Sequence, residues 1–309
     1  MICNTILDAI GGTPLVRLQR IPEPDSAEIY VKVESLEVGG SIKTRTAYAM
    51  VRGAEERGDI GPGSIIVEPT SGNQGIGLAL AGAVLGYEVR IVMPDSVSAE
   101  RRKLCEAYGA QVTLVHDAGD IGECIENCLA AALAMRDADP EHVWIPNQFV
   151  NPDNPEVHHR ETSAEIIADL GGAPDGFASG IGTGGTISGV GNSFKAANPG
   201  CVVWAVEPDQ AAILSGGVIG THQQMGIGDG LIPDNLDTGI YDAVVTVTDA
   251  EAIAMARRLA REEGLVCGIS SGTNVAAAVR LARELGPGKR VVTILPDTGE
   301  RYFSTPLFD

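Results

Sequence analysis

Basic charge is scarce in this chain. Its 309 residues include 22 Lys and Arg against 41 Asp and Glu, a formal charge of -19. No cluster of Lys or Arg rises out of that acidic background, which argues against binding nucleic acid or an anionic membrane surface. Cysteine is sparse as well. Cys3, Cys105, Cys124, Cys128, Cys201 and Cys267 form no CxxC pair, and scattered thiols in a chain of this length suggest a reducing compartment. Cys124 and Cys128, four apart, share an expected helix face, which is more often packing than a metal site. The longest apolar run, Ile76 to Leu85, is too short and glycine-broken to span a bilayer. The start "MICNTILDAIGG" has no basic n-region, so no signal peptide is expected and the cytoplasm is the default. Metal and hydrolase signatures are missing too. His116, His142, His158, His159 and His222 show no HExxH or other close ligand spacing, and no Gly-x-Ser-x-Gly elbow occurs. His158 and His159 fall on a polar helix start and read as solvent-facing.

What is present is alternation. "EIYVKVE", "SIIVEP", "EVRIVMP", "QVTLVH", "GFASGI", "CVVWAVEP", "AVVTVTD" and "RVVTILPD" read as strands. Helical stretches such as "SAERRKLCEAYG" and "TDAEAIAMARRLAREEG" lie between them; the second opens on a capping box, Thr248 to Glu251, and stops at Gly264. The pattern predicts an α/β fold with mostly parallel sheets, covered on both faces where strands are apolar throughout. The polar stretch "NQFVNPDNPEVHHRET" (147–162) is the candidate lobe boundary. In such folds ligands bind beyond the carboxyl ends of strands, and three strand-to-helix loops there are unusual.

"EPTSGNQGIG" places Thr70, Ser71, Gly72, Asn73 and Gln74 before a small-residue helix, a nest for a carboxylate or phosphate. "SGIGTGGTISGVG" (179–191) is dense in glycine, which lets backbone amides approach an anion. "CGISSGTN" (267–274) is again small and hydroxyl-rich before a helix. The first and third also read as ordinary capped turns. The second lacks the Gly-Lys-Ser/Thr of a phosphate-binding P-loop. Gly180, Gly182 and Gly185 do match GxGxxG, and Glu207 follows Gly185 by 22 positions, close to the ~20 expected of a ribose-binding acid. A dinucleotide site is therefore a rival reading.

That rival leaves one lysine unexplained. In "EVGGSIKTRTAYAMVRGAEERG" (37–58), Ala47, Met50, Val51 and Ala54 fall at helical spacing, Gly58 reads as the stop and Ser41 as the N-cap. Lys43 then lies in the first turn, against the positive end of the helix dipole. A helix N-terminus and exclusion of water both lower a lysine pKa, which suits an amine nucleophile. Lysine, phosphate cup and carboxylate cup together describe an enzyme that uses pyridoxal phosphate on an amino acid.

Seven segments, "IGGTPLVRL", "GGSIKTR", "EPTSGNQGIGLA", "NQFVNPDNPEVH", "GIGTGGTISGVG", "GISSGTN" and "ILPDTGERYFST", stand in the order found in cysteine synthases. Over essentially its whole length the chain resembles the β-family (fold type II) pyridoxal-phosphate enzymes, near O-acetylserine sulfhydrylase and the catalytic core of cystathionine β-synthase. The resemblance implies two lobes, each a mostly parallel sheet flanked by helices: residues 1–12 and 37–148 as a smaller mobile substrate-binding lobe, 13–36 and 149–309 as a larger cofactor-binding lobe. It implies that Lys43 holds pyridoxal 5'-phosphate as an internal aldimine and moves the α-proton. Asn73 would bond the cofactor's 3'-oxygen, Gly182, Thr183, Gly184, Gly185 and Thr186 would cradle its phosphate, and Ser270 would face the pyridine nitrogen. Thr70, Ser71, Asn73, Gln74 and Gln148 would bind the substrate carboxylate. The implied reaction is β-replacement through an α-aminoacrylate, most simply O-acetyl-L-serine plus sulfide to L-cysteine plus acetate, by a cytoplasmic homodimer with small-molecule partners, no membrane and no metal. The chain stops soon after "ERYFSTPLF", which implies no regulatory extension and no haem domain.

Departures from the family pattern stay visible. Glu37 and Val38 stand where Asn-Pro is common, Thr44 where Asp is frequent, Gln74 where sulfhydrylases carry Thr, and Asp229 in "MGIGDGLIP" where a small residue is typical. A carboxylate at 229 could act as a base on water or an incoming nucleophile, or cap its own loop. If it acts as a base, the reverse use of the machinery becomes the alternative: L-cysteine loses sulfide, and water or a thiol adds to give serine, cystathionine or lanthionine. A catalytically weak binding paralogue and a dinucleotide-binding oxidoreductase complete the alternatives.

Overall fold

Valine and isoleucine supply most of the strands, because branched side chains fit a pleated surface buried on both sides. The computed structural model describes residues 2–119, 121–217 and 219–309. The strands are β1 (Leu15–Arg17), β2 (Glu28–Lys32), β3 (Ile65–Pro69), β4 (Glu88–Pro94), β5 (Gln111–Val115), β6 (Val143–Trp144), β7 (Gly176–Gly180), β8 (Val202–Pro208), β9 (Ala243–Val247) and β10 (Arg290–Ile294). All eight expected strands form; β1 and β6 were not anticipated. One sheet runs β1-β2-β10-β7-β8-β9 and the other β5-β4-β3-β6. Every pairing is parallel except β1 with β2. Two mostly parallel sheets with helices around them are the α/β architecture expected.

The helices are α1 (Lys43–Arg57), α2 (Asn73–Leu85), α3 (Ala99–Ala107), α4 (Ile121–Ala138), α5 (Asp153–Val157), α6 (Ser163–Leu170), α7 (Gly185–Ala197), α8 (Asp249–Glu263) and α9 (Ile269–Leu285). The capping box at Thr248 and Glu251 is made, and Gly264 closes α8 in the left-handed region. Both faces of the larger sheet are covered. Ile29, Val31 and Val206 join one core, and Phe177, Val203 and Ala205 the other, as period-two alternation requires. Around the smaller sheet, Ala47, Val51 and Ala54 of α1 pack with Ile66, Ile76 and Ile91. Gly77 sets how close α2 comes to α1: a Cβ there would lie 2.8 Å from the Ala47 Cβ and 2.9 Å from the Lys43 carbonyl. No helix among the described residues is long and apolar enough to cross a membrane.

Two local expectations fail. Ser41 is not the side-chain cap of α1. Its backbone is extended and bridges to Asp297, the N-cap position falls on Ile42, and the buried Ser41 hydroxyl has no hydrogen-bond partner among the described residues. The tie to Asp297 outcompetes the cap. His158 is not solvent-facing. A turn of π-helix, His158–Thr162, joins α5 to α6 and rotates His158 inward, where it is fully buried with Nδ1 at 2.9 Å from Thr162 Oγ1. Burial, with the cations of Lys43 and Arg45, holds its pKa well below the ordinary 6.5. His159 stays exposed.

Candidate active site

Four helices begin around one cavity. Lys43 opens α1, Asn73 opens α2, Gly185 opens α7, and Ser270 lies in the first turn of α9. Lys43, Asn73, Ser270 and Thr186 of α7 all line the cavity. Unpaired N–H groups and aligned dipoles at four N-termini make its wall electropositive, suited to phosphate and carboxylate.

Lys43 reaches the cavity through a turn that demands glycine. Gly39 and Gly40 have φ of 75° and 76°, values that strain any residue with a Cβ. Lys43 Nζ donates to Thr183 Oγ1 at 3.4 Å, across 140 positions of sequence. The side chain keeps some accessible surface where it faces the cavity. Protein nevertheless surrounds the amine deeply. Desolvation brings its pKa down from 10.5 to about 8, opposed in part by the charge of Asp229. The lowered pKa raises the neutral share near pH 7 from a trace to about a tenth, the form an amine nucleophile uses.

The glycine loop forms a cup opposite. A Cβ at Gly182 would fall 2.5 Å from the Gly226 carbonyl oxygen, and one at Gly184, φ 76°, would fall 2.8 Å from Leu236. Gly182, Thr183, Gly184 and Thr186 line the cavity. Gly185 lies behind them, where a Cβ would meet Asn154 Oδ1 at 2.0 Å. Asn154 Nδ2 in turn donates to Thr183 Oγ1 at 2.9 Å and to the Gln148 carbonyl at 2.7 Å. His158 backs the cup through Thr186, its Nε2 at 3.4 Å from Thr186 Oγ1.

The turn after β3 faces the same space. Thr70, Ser71, Asn73 and Gln74 line it, with Gln148 from the segment after β6. Gly72 takes φ 130° and donates its N–H to Thr70 Oγ1 at 3.1 Å. Thr46 Oγ1 donates to Gln74 Oε1 at 2.8 Å, while the buried Gln74 Nε2 has no partner among the described residues. An unmatched buried donor on an anion-binding turn is a place for a ligand acceptor. The Asn73 amide is already engaged, donating to Asp297 Oδ2 at 2.7 Å and accepting from Arg301 Nη1 at 2.5 Å; one amide hydrogen is left over.

Ser270 is almost fully buried at the cavity wall. The neighbouring Asn274 accepts from Gly180 N at 2.7 Å and donates to the Ile294 carbonyl at 2.8 Å, tying the ends of β7 and β10 to α9. Asp229 also lines the cavity, with no hydrogen-bond partner among the described residues; burial raises its pKa, against the charges of Lys43, His222 and Arg101. Cys128 lines the cavity as well, but its thiol is pushed up to about 12 by burial beside Cys124 and so is no thiolate nucleophile at neutral pH.

The rival ribose acid is spoken for. Glu207 accepts from Leu214 N and Ser215 N, both at 2.9 Å, and from Ser215 Oγ at 2.5 Å. No group of His, Cys, Asp and Glu among the described residues could hold a metal. The fit to pyridoxal phosphate rests on three features: an amine with a lowered pKa, a glycine loop packed so closely against Gly226, Leu236 and Asn154 that it has no room for a Cβ, and an orphan amide donor on the anion turn. Sequence reasoning missed Glu68, Asn154, Asn274, Arg101, Asp297 and Arg301, which hold these parts from behind.

Residues 6–297 match the family model described as pyridoxal-phosphate dependent enzyme. The chain is 46% identical over 307 residues to a cysteine synthase of Staphylococcus aureus, covering 99% of this chain and 97% of that one. Among solved structures it resembles an O-ureido-L-serine synthase, 44% identical with TM-score 0.92 and covering 100% of this chain and 96% of that one. It also resembles a hydrogen sulfide-producing enzyme of Fusobacterium nucleatum, 38% identical with TM-score 0.92, covering 98% of this chain and 100% of the other.

Proposed function

Since the chain belongs to the family of pyridoxal-phosphate dependent enzymes, we propose that it carries out β-replacement on a β-substituted L-amino acid, as a cysteine synthase: O-acetyl-L-serine and sulfide give L-cysteine and acetate. The observation that carries this reading is the meeting of the Lys43 amine with Thr183 of the glycine cup at 3.4 Å, in a cavity that also holds the 70–74 turn.

Pyridoxal phosphate, when bound, supplies an aldehyde that carries the amino acid and a conjugated ring that takes up electrons from the broken Cα–H bond. Lys43 holds the cofactor and, once released by substrate, takes the α-proton at Nζ and later returns it. Gly182, Thr183, Gly184, Gly185 and Thr186 hold the phosphate through backbone N–H groups and hydroxyls. Thr70, Ser71, Asn73, Gln74 and Gln148 hold the substrate carboxylate, with the spare Asn73 amide hydrogen toward the cofactor's 3'-oxygen. Ser270 offers the ring nitrogen a hydroxyl and not a carboxylate, which leaves that nitrogen unprotonated and favours loss of a β-leaving group. The C–O bond to acetate breaks, and sulfide forms the C–S bond.

Residues 1–12 and 37–148 serve in this reading as the smaller, mobile lobe, and 13–36 and 149–309 as the larger one. The enzyme acts on small molecules, as a homodimer in the cytoplasm.

Asp229 supports a second reading. Its carboxylate faces the cavity beside Lys43 with its pKa raised, the property of a base for an incoming nucleophile. L-cysteine would then be the first substrate, sulfide would leave, and water or a thiol would add, giving serine, cystathionine or lanthionine. The Fusobacterium neighbour is named for producing hydrogen sulfide. Turnover assays that pair O-acetyl-L-serine or L-cysteine with sulfide, water and thiols decide between them. Cysteine formed with release of acetate supports the first reading; turnover of L-cysteine alone overturns it in favour of the second.

A further inference from the structure

Behind the 70–73 turn lies a sealed polar cluster that the proposed chemistry leaves unused. Arg101, Asp297 and Arg301 are each 1% exposed and Tyr302 is fully buried. Arg301 donates from Nη1 to Asn73 Oδ1 at 2.5 Å and from Nη2 to the Gly39 carbonyl. Asn73 opens α2, and Gly39 begins the turn into Lys43, so one planar guanidinium spans both parts of the site. It also accounts for the second glycine: a Cβ at Gly40 would lie 3.1 Å from Arg301 Nη2.

Asp297 completes the hold on Asn73. Its Oδ2 accepts from Asn73 Nδ2 at 2.7 Å and from the Tyr302 hydroxyl at 2.8 Å. With Oδ1 taken by Arg301 and Nδ2 by Asp297, the amide plane of Asn73 is fixed. Arg101 closes the cluster. Its Nη2 donates to the Tyr302 hydroxyl at 2.8 Å, lies 3.6 Å from Asp297 Oδ2, and its Nη1 donates to the Ser71 carbonyl at 3.3 Å. The cluster thus holds two guanidiniums and one carboxylate, with Arg101 ion-paired to Asp297 and Arg301 bonded to Asn73 and Gly39 instead. The surplus positive charge sits directly behind the turn, in a protein whose net charge of -19 otherwise repels an anion. Neither arginine lines the cavity, so both act through Ser71 and Asn73.

We propose that Arg301, with Arg101 and Asp297, is a positioning group that presets the 70–73 turn for a carboxylate and thereby sets the enzyme's preference for α-amino acids over the matching amines. The inference rests on the functional reading above. Arginine suits the task because its rigid fork satisfies two acceptors at once, which a lysine cannot do.

The test compares two probes on the holoenzyme, L-serine and ethanolamine, which differ by the carboxylate. Binding is followed by the change in cofactor absorbance, and cofactor content per chain is measured in parallel. Arg301→Met should weaken L-serine about 10- to 100-fold while ethanolamine changes less than about 3-fold, with cofactor content retained. Arg301→Lys should fall between, and Tyr302→Phe should weaken L-serine only a few-fold. If Arg301→Met does not fold, Arg301→Lys carries the same comparison. Equal weakening of both probes would reduce the cluster to a structural support and overturn the proposal, as would unchanged L-serine binding in a loaded variant. An unsubstituted chain that takes up no cofactor would instead condemn the functional reading.

Discussion

The Glu68 carboxylate, at the end of β3, accepts the backbone N–H of Asn147 at 2.9 Å and that of Gln148 at 3.1 Å. No cation is paired with it among the described residues. It holds Asn147 in a left-handed turn, φ 51°, and so aims Gln148 at the cavity. Burial lifts its pKa from 4.5 to about 7, against those two backbone bonds. Between pH 4.5 and 7 the folded chain therefore keeps a proton that the unfolded chain has lost. Stability falls as pH rises through that window, and the penalty is complete above 7. Glu37, also raised to about 7 by burial, acts in the same direction. Glu165, lowered to about 2 through Arg45 and Lys32, loses its contribution only below 4.5. These carboxylates favour pH near 5, whereas buried His158, held well below 6.5, favours the higher end of the window by adding stability as pH rises toward 6.5. Glu68→Gln should shrink the difference in unfolding free energy between pH 5 and 7.5 by about 1–2 kcal/mol, measured by denaturant titration. An unchanged difference would contradict the assignment.

Lys43 has the opposite sign. In cofactor-free protein its pKa of about 8 lies below the ordinary 10.5, so between those values the unfolded chain holds the extra proton. Stability rises with pH through that window, and the cost is full below 8. Lys43→Met should therefore stabilise the cofactor-free protein at pH 7 by about 2 kcal/mol, an advantage that disappears near pH 10.5. Parallel melting curves across pH check this.

Asp229→Asn keeps the shape of the side chain and removes the base. Cofactor content should stay as it is. Under the second reading, single-turnover kinetics should show the nucleophile-addition half-reaction slowed about 100-fold and the first half-reaction spared. If every nucleophile adds at an unchanged rate, the carboxylate has no part in the chemistry.

Gly185→Ala tests the cup without touching a reactive group. The new methyl would lie 2.0 Å from Asn154 Oδ1, and Asn154 holds Thr183 and Gln148. We expect a loss of about 2–3 kcal/mol in stability and weakened cofactor retention, read by calorimetry and by cofactor content after dialysis.

The strands were legible because runs such as "CVVWAV" are dense in β-branched residues, whereas β1 and β6, three and two residues long, carry too little pattern to register. The three loops were legible from glycine and hydroxyl density before helices, and the structure brings all three to one cavity with Lys43. What holds them was not. Glu68 reads as one charge ending an apolar strand, yet its partners lie 79 and 80 positions on. Arg301 meets Asn73 across 228 positions. Such contacts leave no local periodicity. Ser41 misled for the same reason: its cap chemistry is local, and the bridge to Asp297 that overrides it is not.

Lys43 is the proposed carrier of the cofactor. Reducing the purified holoenzyme with borohydride and mapping the digest by mass spectrometry tests that directly. The prediction is one pyridoxyl-phosphate adduct, on the peptide containing Lys43. An adduct on another lysine, or none in protein supplied with cofactor, would contradict it.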